Sequence, residues 1–401
     1  HNMEELMYYV WQHRMFQTIA SVDNTIIEII HPGLRNLDSG PDFFNAKIKL
    51  NGTVWAGNVE MHVKASDWFK HHHQEDKIYD SVILHVVLAA DAEIHLHDGE
   101  VLKTAIMTIP KDVMNHFQNL TSSQRYSFSA INCKNELPLV PQIILHDWQT
   151  SLAIQRMMNK VNRVRDIIDD KQKSWQEALY VTLTRALGTG INSEACERLA
   201  RSLPFSFIMK HADNYSQIEA FLLGQANLAD NIQVEKEYAF LRAKFSLTPL
   251  PKEVWKMSRT RPQASPTVRL RALARIIYFH NDLFSKIIDC QDIQSISKIL
   301  TIPKMIGTST VNSLIINSVI PIMLAYAQWQ KDDGLNEKAI YLLESLPAES
   351  NRYMDYWIAC GIPLKNALDS QAMLQLYKDY CEPHKCLRCR LGCWLLKNKR
   401  Q

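Results

Sequence analysis

The sequence carries no large excess of charge of either sign. It has 401 residues, with 45 lysines and arginines against 42 aspartates and glutamates, and its formal net charge is +3. This balance excludes a histone-like polycation that binds nucleic acid through its overall charge. A nucleic-acid partner would therefore have to bind at a local basic cluster.

Membrane and export signals are also missing. The apolar runs are broken by polar residues before they reach the roughly 18 to 20 residues of a membrane-spanning helix, and no basic region followed by an apolar core stands at the N-terminus. We therefore predict a cytoplasmic protein with no membrane association. His1-Asn2 resemble the remnant of an expression tag, which predicts a native start at Met3.

Cysteine is sparse over most of the chain and concentrated at its end. Four of the eight cysteines follow the pattern C-x4-C-x2-C-x3-C, at Cys381, Cys386, Cys389 and Cys393. A disulfide framework belongs to small secreted chains, so we do not expect one here. Four close thiolates can bind Zn²⁺ or an iron-sulfur cluster, with His384 or Cys133 as a possible substitute for one of them. Ordinary packed cysteines are the alternative.

The length predicts two domains, each with its own core. Residues 3–131 are predicted as an α/β domain with a mixed sheet, opened by a helix over Glu4–Phe16. Its predicted strands are Thr25–Ile30, Phe43–Leu50, Val54–Val63 and Ser81–Leu88. Residues 132–401 carry one helical pattern after another, which predicts an all-α domain that includes the cysteine segment.

Two acidic residues in the predicted sheet form the candidate catalytic site. Asp42 follows a Ser39-Gly40-Pro41 turn, and Glu60, His62 and Lys64 alternate along one face of a strand. Carboxylates bind Mg²⁺ or Mn²⁺, and a basic group beside them can orient water. We predict Asp42 and Glu60 as metal ligands, with Lys64, helped by His62, near the attacking water. Glu5 on the opening helix could add a carboxylate. A turn cap and a solvent-facing strand residue are the alternative roles.

These residues resemble the signature of the PD-(D/E)xK nuclease superfamily. Pro41-Asp42 matches its first half, and Glu60-Met61-His62 matches its second half except that His62 stands where the lysine belongs. Lys64, on the same face, is the predicted replacement. The resemblance implies a restriction-endonuclease-like α/β fold and a metal-dependent phosphodiesterase. Some nucleases of this superfamily hold a structural iron-sulfur cluster with C-terminal cysteines, which the cysteine segment resembles.

The whole chain is identified as a member of an uncharacterised bacterial family, the domain of unknown function 2851. The resemblance lies in the blocks NLDSGPDFFNAKI, GNVEMHVKASDW, SVILHVV, RPQASPTVRL and YCEPHKCLRC. It implies no established activity.

A histidine-rich segment follows the acidic residues. His71 and His73 are the second-rank site candidates, because imidazole binds Zn²⁺ or Mn²⁺ and either ring could contact a scissile phosphate. No HExxH signature is present, and a solvated polar loop is the alternative. His85 lies in an apolar run and is predicted as a core residue.

A basic group surrounds a proline-containing loop in the second half. Arg261, Arg269 and Arg271 predict contact with phosphate, with DNA or RNA as the partner, and solvated helix faces are the alternative. Together these features predict a metal-dependent nuclease or a nuclease-derived nucleic-acid-binding protein. The alternatives are a non-catalytic helical scaffold and a small-substrate metallohydrolase that uses the histidine-rich segment.

Overall fold

The chain divides into an α/β unit and a helical unit. The computed structural model describes residues 2–37, 39–121, 131–169, 174–257 and 262–398. The first unit comprises His1–Leu145 together with Tyr377–Gln401, and the second comprises His146–Leu376. The predicted order, a mixed sheet followed by helices, is confirmed. The C-terminal segment, which the sequence assigned to the helical domain, belongs to the first unit.

The first unit contains a seven-stranded mixed sheet. In spatial order the strands run β1-β7-β6-β5-β4-β2, and β3 also pairs with β4. The β5–β6 and β6–β7 pairs are parallel and the other pairs are antiparallel. The strand bounds are β1 Thr18–Ser21, β2 Glu28–His31, β3 Leu34–Arg35, β4 Phe43–Leu50, β5 Thr53–Lys64, β6 Val82–Ala89 and β7 Thr104–Thr108.

A two-residue turn fixes the register of the β4–β5 hairpin. Asn51 and Gly52 both have positive φ, at 52° and 79°, and Leu50 pairs with Thr53 across the turn. Asn-Gly adopts this pair of left-handed conformations at low cost, which explains the hairpin at this point. β5 continues beyond the hairpin, and its segment from Val59 to His62 is buried.

Apolar layers cover both faces of the sheet. On one face, the helix α1 (Asn2–Gln12) places Leu6 and Val10 in a cluster with Phe43 and Met61. On the other face, the short helix α2 (Asp67–Lys70) buries Trp68 in a second cluster. Side chains alternate along β5, so both of its faces are shielded from water around Glu60 and His62.

The C-terminal helix completes the first unit. The helix α3 spans Lys111–Thr121 and the final helix, α18, spans Arg390–Asn398. Leu396 joins the same apolar cluster as α1, and the Tyr9 hydroxyl donates to the carbonyl oxygen of Cys393 at 2.8 Å. These contacts explain why a segment with a helical sequence pattern packs with the sheet.

The second unit is built from helices with frequent polar N-caps. Ser174, Asn231 and Asp332 each accept a hydrogen bond from a backbone N–H in the first turn of the helix that follows. Its helices are α4 Gln142–Asp169, α5 Trp175–Leu187, α6 Ser193–Ser202, α7 Phe205–Met209, α8 Tyr215–Gln225, α9 Ile232–Phe245, α10 Pro266–Phe279, α11 Leu283–Asp289, α12 Ile293–Leu300, α13 Thr308–Leu314, α14 Ile320–Gln330, α15 Asp333–Ser345, α16 Arg352–Ala359 and α17 Ala367–Leu376.

One described helix is long and apolar enough to cross a membrane, which the sequence prediction did not anticipate. It spans Thr308–Gln330, and 72% of its most apolar window is buried inside the protein. Polar residues and Pro321 interrupt this stretch, but it carries no charge. Its burial is that of a core helix in a globular unit.

Candidate metal centre

Asp42 reaches the site from a turn that hydrogen bonds hold closed. The Asn36 side chain donates to the carbonyl oxygens of Ser39 and Pro41, both at 3.1 Å, and its backbone N–H donates to the Asp42 carbonyl at 2.8 Å. Gly40 has a φ of 106°, which L side chains rarely adopt. The turn therefore places Asp42 directly before β4.

Asp42 and Glu60 face each other across β4 and β5. The backbone N–H of Asp42 donates to Glu60 Oε2 at 3.1 Å, and the N–H of Met61 donates to Asp42 Oδ2 at 2.9 Å. Glu60 is 4% exposed, so its carboxylate is almost removed from water. The two backbone bonds fix the positions of the carboxylates without neutralising their charges.

Burial and mutual repulsion act on these two acids together. Burial raises the pKa of both Asp42 and Glu60 above the usual carboxyl range, and the charge of Glu60 raises the pKa of Asp42 further. The charge of Glu4 on α1 raises both values as well. Two adjacent, poorly solvated carboxylates favour either a shared proton or a bound cation.

Three histidines gather beside Glu60. His73 Nε2 lies 3.2 Å from Glu60 Oε1, and His62 Nε2 lies 3.7 Å from the same oxygen. Ring nitrogens of His62, His71 and His73 lie within 4.8 Å of one another. Within the described ranges, no other three histidine, cysteine or acidic side chains bring their ligand atoms so close.

The histidines are linked ring to ring. His62 Nδ1 lies 2.8 Å from His85 Nε2, and His62 Nε2 lies 3.0 Å from His71 Nδ1. Burial, with the neighbouring histidines, lowers the pKa of His62 to about 2. Burial also lowers the pKa of His85 to about 4. Both rings are therefore neutral near pH 7, the form in which imidazole binds metals.

Two ring nitrogens at this site lack hydrogen-bond partners in the described part of the chain. They are His73 Nε2 and His85 Nδ1, and both are buried. His73 Nε2 faces Glu60 Oε1 without hydrogen-bond geometry although only 3.2 Å separates them. A nitrogen and a carboxylate oxygen in this arrangement fit a cation that both could bind.

Sequence reasoning missed three side chains that contribute to the site. His85 on β6 is level with Glu60 on β5, and the parallel register brings it to His62. The Tyr8 hydroxyl hydrogen-bonds to Asp42, and Glu4 supplies the nearby charge of α1. The available signal was helical spacing, which places Glu4 and Tyr8 on one face of α1.

Lys64 and Glu5 lie apart from the carboxylate pair. Lys64 ends β5 and is exposed, and its Cα lies about 13 Å along the strand from that of Glu60. Its charge interacts with that of Asp91. Glu5 Oε1 instead accepts a hydrogen bond from Arg388 Nη2 at 2.7 Å. The observed positions therefore do not support either side chain as a partner of Asp42.

The predicted basic group is used largely inside the helical unit. Arg269 is 6% exposed and donates to Met305 and Thr310. Arg271 forms ion pairs with Glu219 and Asp230. Arg261 lies outside the described residues. The positions of Arg269 and Arg271 therefore give the predicted phosphate contact no support.

The C-terminal cysteines lie on successive elements of the last segment. Cys381 ends a π-helical turn over Tyr377–Cys381, whereas Cys386, Cys389 and Cys393 lie in the next turn and the start of α18. Cys133, which follows α3 in the sequence, packs into the same apolar cluster as Cys386 and Cys393.

Comparison with known proteins gives a family but no activity. A family model described as "Protein of unknown function (DUF2851)" matches residues 4–352. Searches of the curated proteins and of the solved structures found no match.

Proposed function

The chain belongs to the DUF2851 family, and for this member we propose metal-dependent hydrolysis of phosphodiester bonds in nucleic acid. The observation that carries the proposal is the approach of Asp42 to Glu60 across β4 and β5, with His73 Nε2 3.2 Å from Glu60 Oε1. Buried acids with raised pKa values, beside unpartnered ring nitrogens, are typical of functional sites rather than of a structural core.

The donor types suit a divalent cation, which would draw the ligand atoms of Asp42, Glu60 and His73 closer together than they stand. Asp42 and Glu60 offer carboxylate oxygens, which Mg²⁺ and Mn²⁺ prefer, and His73 offers a neutral nitrogen, which suits Mn²⁺ better than Mg²⁺. A cation bound there would offset the charge of the two acids and polarise a phosphoryl oxygen of the substrate.

The protein's own groups would position the substrate and the acids. The Tyr8 hydroxyl, through its hydrogen bond, and the Met61 N–H hold Asp42 in place. His71 is exposed at the edge of the site, and its Nδ1 lies 3.0 Å from His62 Nε2. His71 is therefore placed to donate a hydrogen bond to a phosphate that approaches from solvent.

A phosphodiester substrate is favoured by the order of the elements. An opening helix, the β4–β5 hairpin with Asp42 and Glu60, and the parallel strand β6 resemble the core implied by the PD-(D/E)xK signature. His62 stands at the signature's lysine position and lies at the site, while Lys64 lies away from it.

Cleavage assays test this function directly. We would strip the full chain of metal, add back Mn²⁺ or Mg²⁺, and measure cleavage of plasmid DNA, single-stranded DNA and RNA. Asp42→Asn and Glu60→Gln should each reduce cleavage by more than about 100-fold, the upper range seen when even a supporting group of a metal site is removed. Glu75→Gln, an exposed acid in the histidine-rich segment, is the matched control and should cleave normally.

Two outcomes would overturn the proposal. Cleavage that persists in both Asp42→Asn and Glu60→Gln would remove these acids from the chemistry. A wild-type protein that binds no divalent ion, and no nucleic acid even at low salt, would favour the non-catalytic scaffold.

A small-substrate metallohydrolase is the second candidate, because His62, His71 and His73 place their nitrogens within 4.8 Å. It predicts Zn²⁺ or Mn²⁺ that stays bound through purification and is lost in the double variant His71→Ala/His73→Ala. Metal retention without cleavage of any nucleic acid would favour it over the nuclease. Loss of Mn²⁺ from Asp42→Asn with retention in the double histidine variant would exclude it.

A further inference from the structure

Four cysteines come together in the α/β unit, apart from the acidic site. Three of them belong to the C-terminal segment, and the fourth, Cys133, lies far earlier in the sequence. Cys389 is 7% exposed and the other three are partly buried. The proposed hydrolysis does not use them, so their shared location needs a separate explanation.

The three C-terminal thiols follow one tight turn into α18. The Cys389 N–H donates to the Cys386 carbonyl at 3.2 Å, and the Cys393 N–H donates to the Cys389 carbonyl at 2.9 Å. A Cβ placed on Gly392 would lie 2.3 Å from the Cys386 carbonyl oxygen. Only glycine allows this close approach, which winds the three cysteines around a single turn.

Cys133, from the segment that follows α3, lies near this turn. Cys133, Cys386 and Cys393 pack against one apolar cluster. The Cys133 carbonyl accepts from the N–H groups of Glu136 and Leu137, so a compact turn fixes its position. The Cys133 thiol is also near enough to Cys389 and Cys386 for their charges to interact with it.

The chemistry of these thiols suits a metal that replaces their protons. Four buried thiols without a metal are neutral and oxidisable, whereas a soft metal stabilises the thiolates by direct bonding.

We propose that Cys133, Cys386, Cys389 and Cys393 bind one thiophilic metal centre that fastens the C-terminal segment to the α/β unit. A zinc ion and an iron-sulfur cluster are the two centres that four cysteine thiolates hold, and metal analysis distinguishes them.

The position of the centre suggests a structural role. The same segment contacts α1 through the Tyr9 hydroxyl bond to Cys393 and the Arg388–Glu5 ion pair. The helix α1 also carries Tyr8 to Asp42. The centre would therefore hold α1 against the sheet, and its existence does not depend on the proposed hydrolysis.

Metal analysis of single variants tests the proposal. The full chain would be purified without oxygen, and its iron, zinc and acid-labile sulfide would be measured together with its visible spectrum. One centre per chain is expected in the wild type and in Cys381→Ser, the matched control from the same segment, and at least tenfold less metal in Cys133→Ser. Iron with sulfide and a visible absorption band identifies a cluster, whereas zinc alone supports the site but not the cluster.

A second measurement remains informative if a variant fails to fold. Thiol alkylation of the native wild type, read by mass spectrometry with and without a strong chelator, should show Cys133, Cys386, Cys389 and Cys393 protected only while metal is present. Absence of iron and zinc, even after reconstitution, would overturn the proposal. So would metal loss in Cys381→Ser with retention in Cys133→Ser.

Discussion

Buried polar side chains have opposite arrangements in the two units. In the α/β unit, Glu60, His62 and His85 are all buried and all converge on one position. Their charges and lone pairs are only partly satisfied, and His85 keeps a buried nitrogen without a hydrogen-bond partner among the described residues. Such a group costs stability unless a ligand completes it.

In the helical unit, some buried polar side chains instead join two elements of structure. Glu177 Oε2 accepts from the Phe205 N–H at 2.9 Å, at the start of α7. Gln225 donates to the Thr248 carbonyl and accepts from the Tyr238 hydroxyl. Burial alone therefore does not mark a site in this protein. A site is marked instead by several polar side chains that converge while some of their hydrogen bonds are missing.

The largest expected difference between the two units is their response to metal, which should stabilise the α/β unit and leave the helical unit unchanged. Mn²⁺ at about 100 times its dissociation constant stabilises a protein that binds it by about 2.7 kcal/mol. We expect slower hydrogen exchange of β5 amides in the wild type when Mn²⁺ is added, and no such change in Glu60→Gln. Amides of the helical unit should exchange at the same rate with and without metal, because the unit has its own stability.

The metal-free state gives the control for this prediction. Without metal, Glu60→Gln should be at least as stable as the wild type, because the amide replaces a carboxyl whose charged form is disfavoured by burial. Equal Mn²⁺ protection of β5 in Glu60→Gln and the wild type would contradict the assignment of Glu60 as a ligand.

Removal of the Glu177 side chain should lower stability, an effect that is smaller than the stabilisation by metal and opposite in sign. Glu177→Ala leaves the Phe205 N–H without its acceptor, which costs about 1–3 kcal/mol. Hydrogen exchange at the start of α7 should accelerate, while cleavage of nucleic acid stays unchanged. Glu194→Ala, an exposed acid on α6, serves as the control. Loss of cleavage in a folded Glu177→Ala protein would remove the distinction between the units.

Much of the fold could be predicted because its signals are local. The strand predicted over Phe43–Leu50 is observed with the same bounds, and the strand predicted over Ser81–Leu88 is observed as Val82–Ala89. The short strands β1 and β3 were missed, because four and two residues carry too little periodicity. Thr25–Ile30 was predicted as a strand, and only its second half is in β2.

The candidate site was only partly predictable because it depends on pairing between distant segments. Asp42 and Glu60 were identified from a turn and from strand alternation, which are local. His85 was predicted as a core residue, since nothing in its own segment shows that β6 lies beside β5 in parallel register. The place of Cys133 beside the C-terminal cysteines depends in the same way on packing between separate segments.

The smallest effect is expected at Lys64, where signature and structure differ most. The superfamily signature requires a lysine near the attacking water, but Lys64 is exposed at the end of β5. Lys64→Ala should change stability by no more than about 0.5 kcal/mol, as surface substitutions usually do. Its cleavage should stay within severalfold of the wild type, whereas His73→Ala should lose most activity, since His73 contacts Glu60. Parallel cleavage assays and thermal denaturation of the two variants measure this difference. If Lys64→Ala lost activity as completely as Glu60→Gln, the lysine would have to reach the site during turnover, and the signature would identify the catalytic base better than the observed positions do.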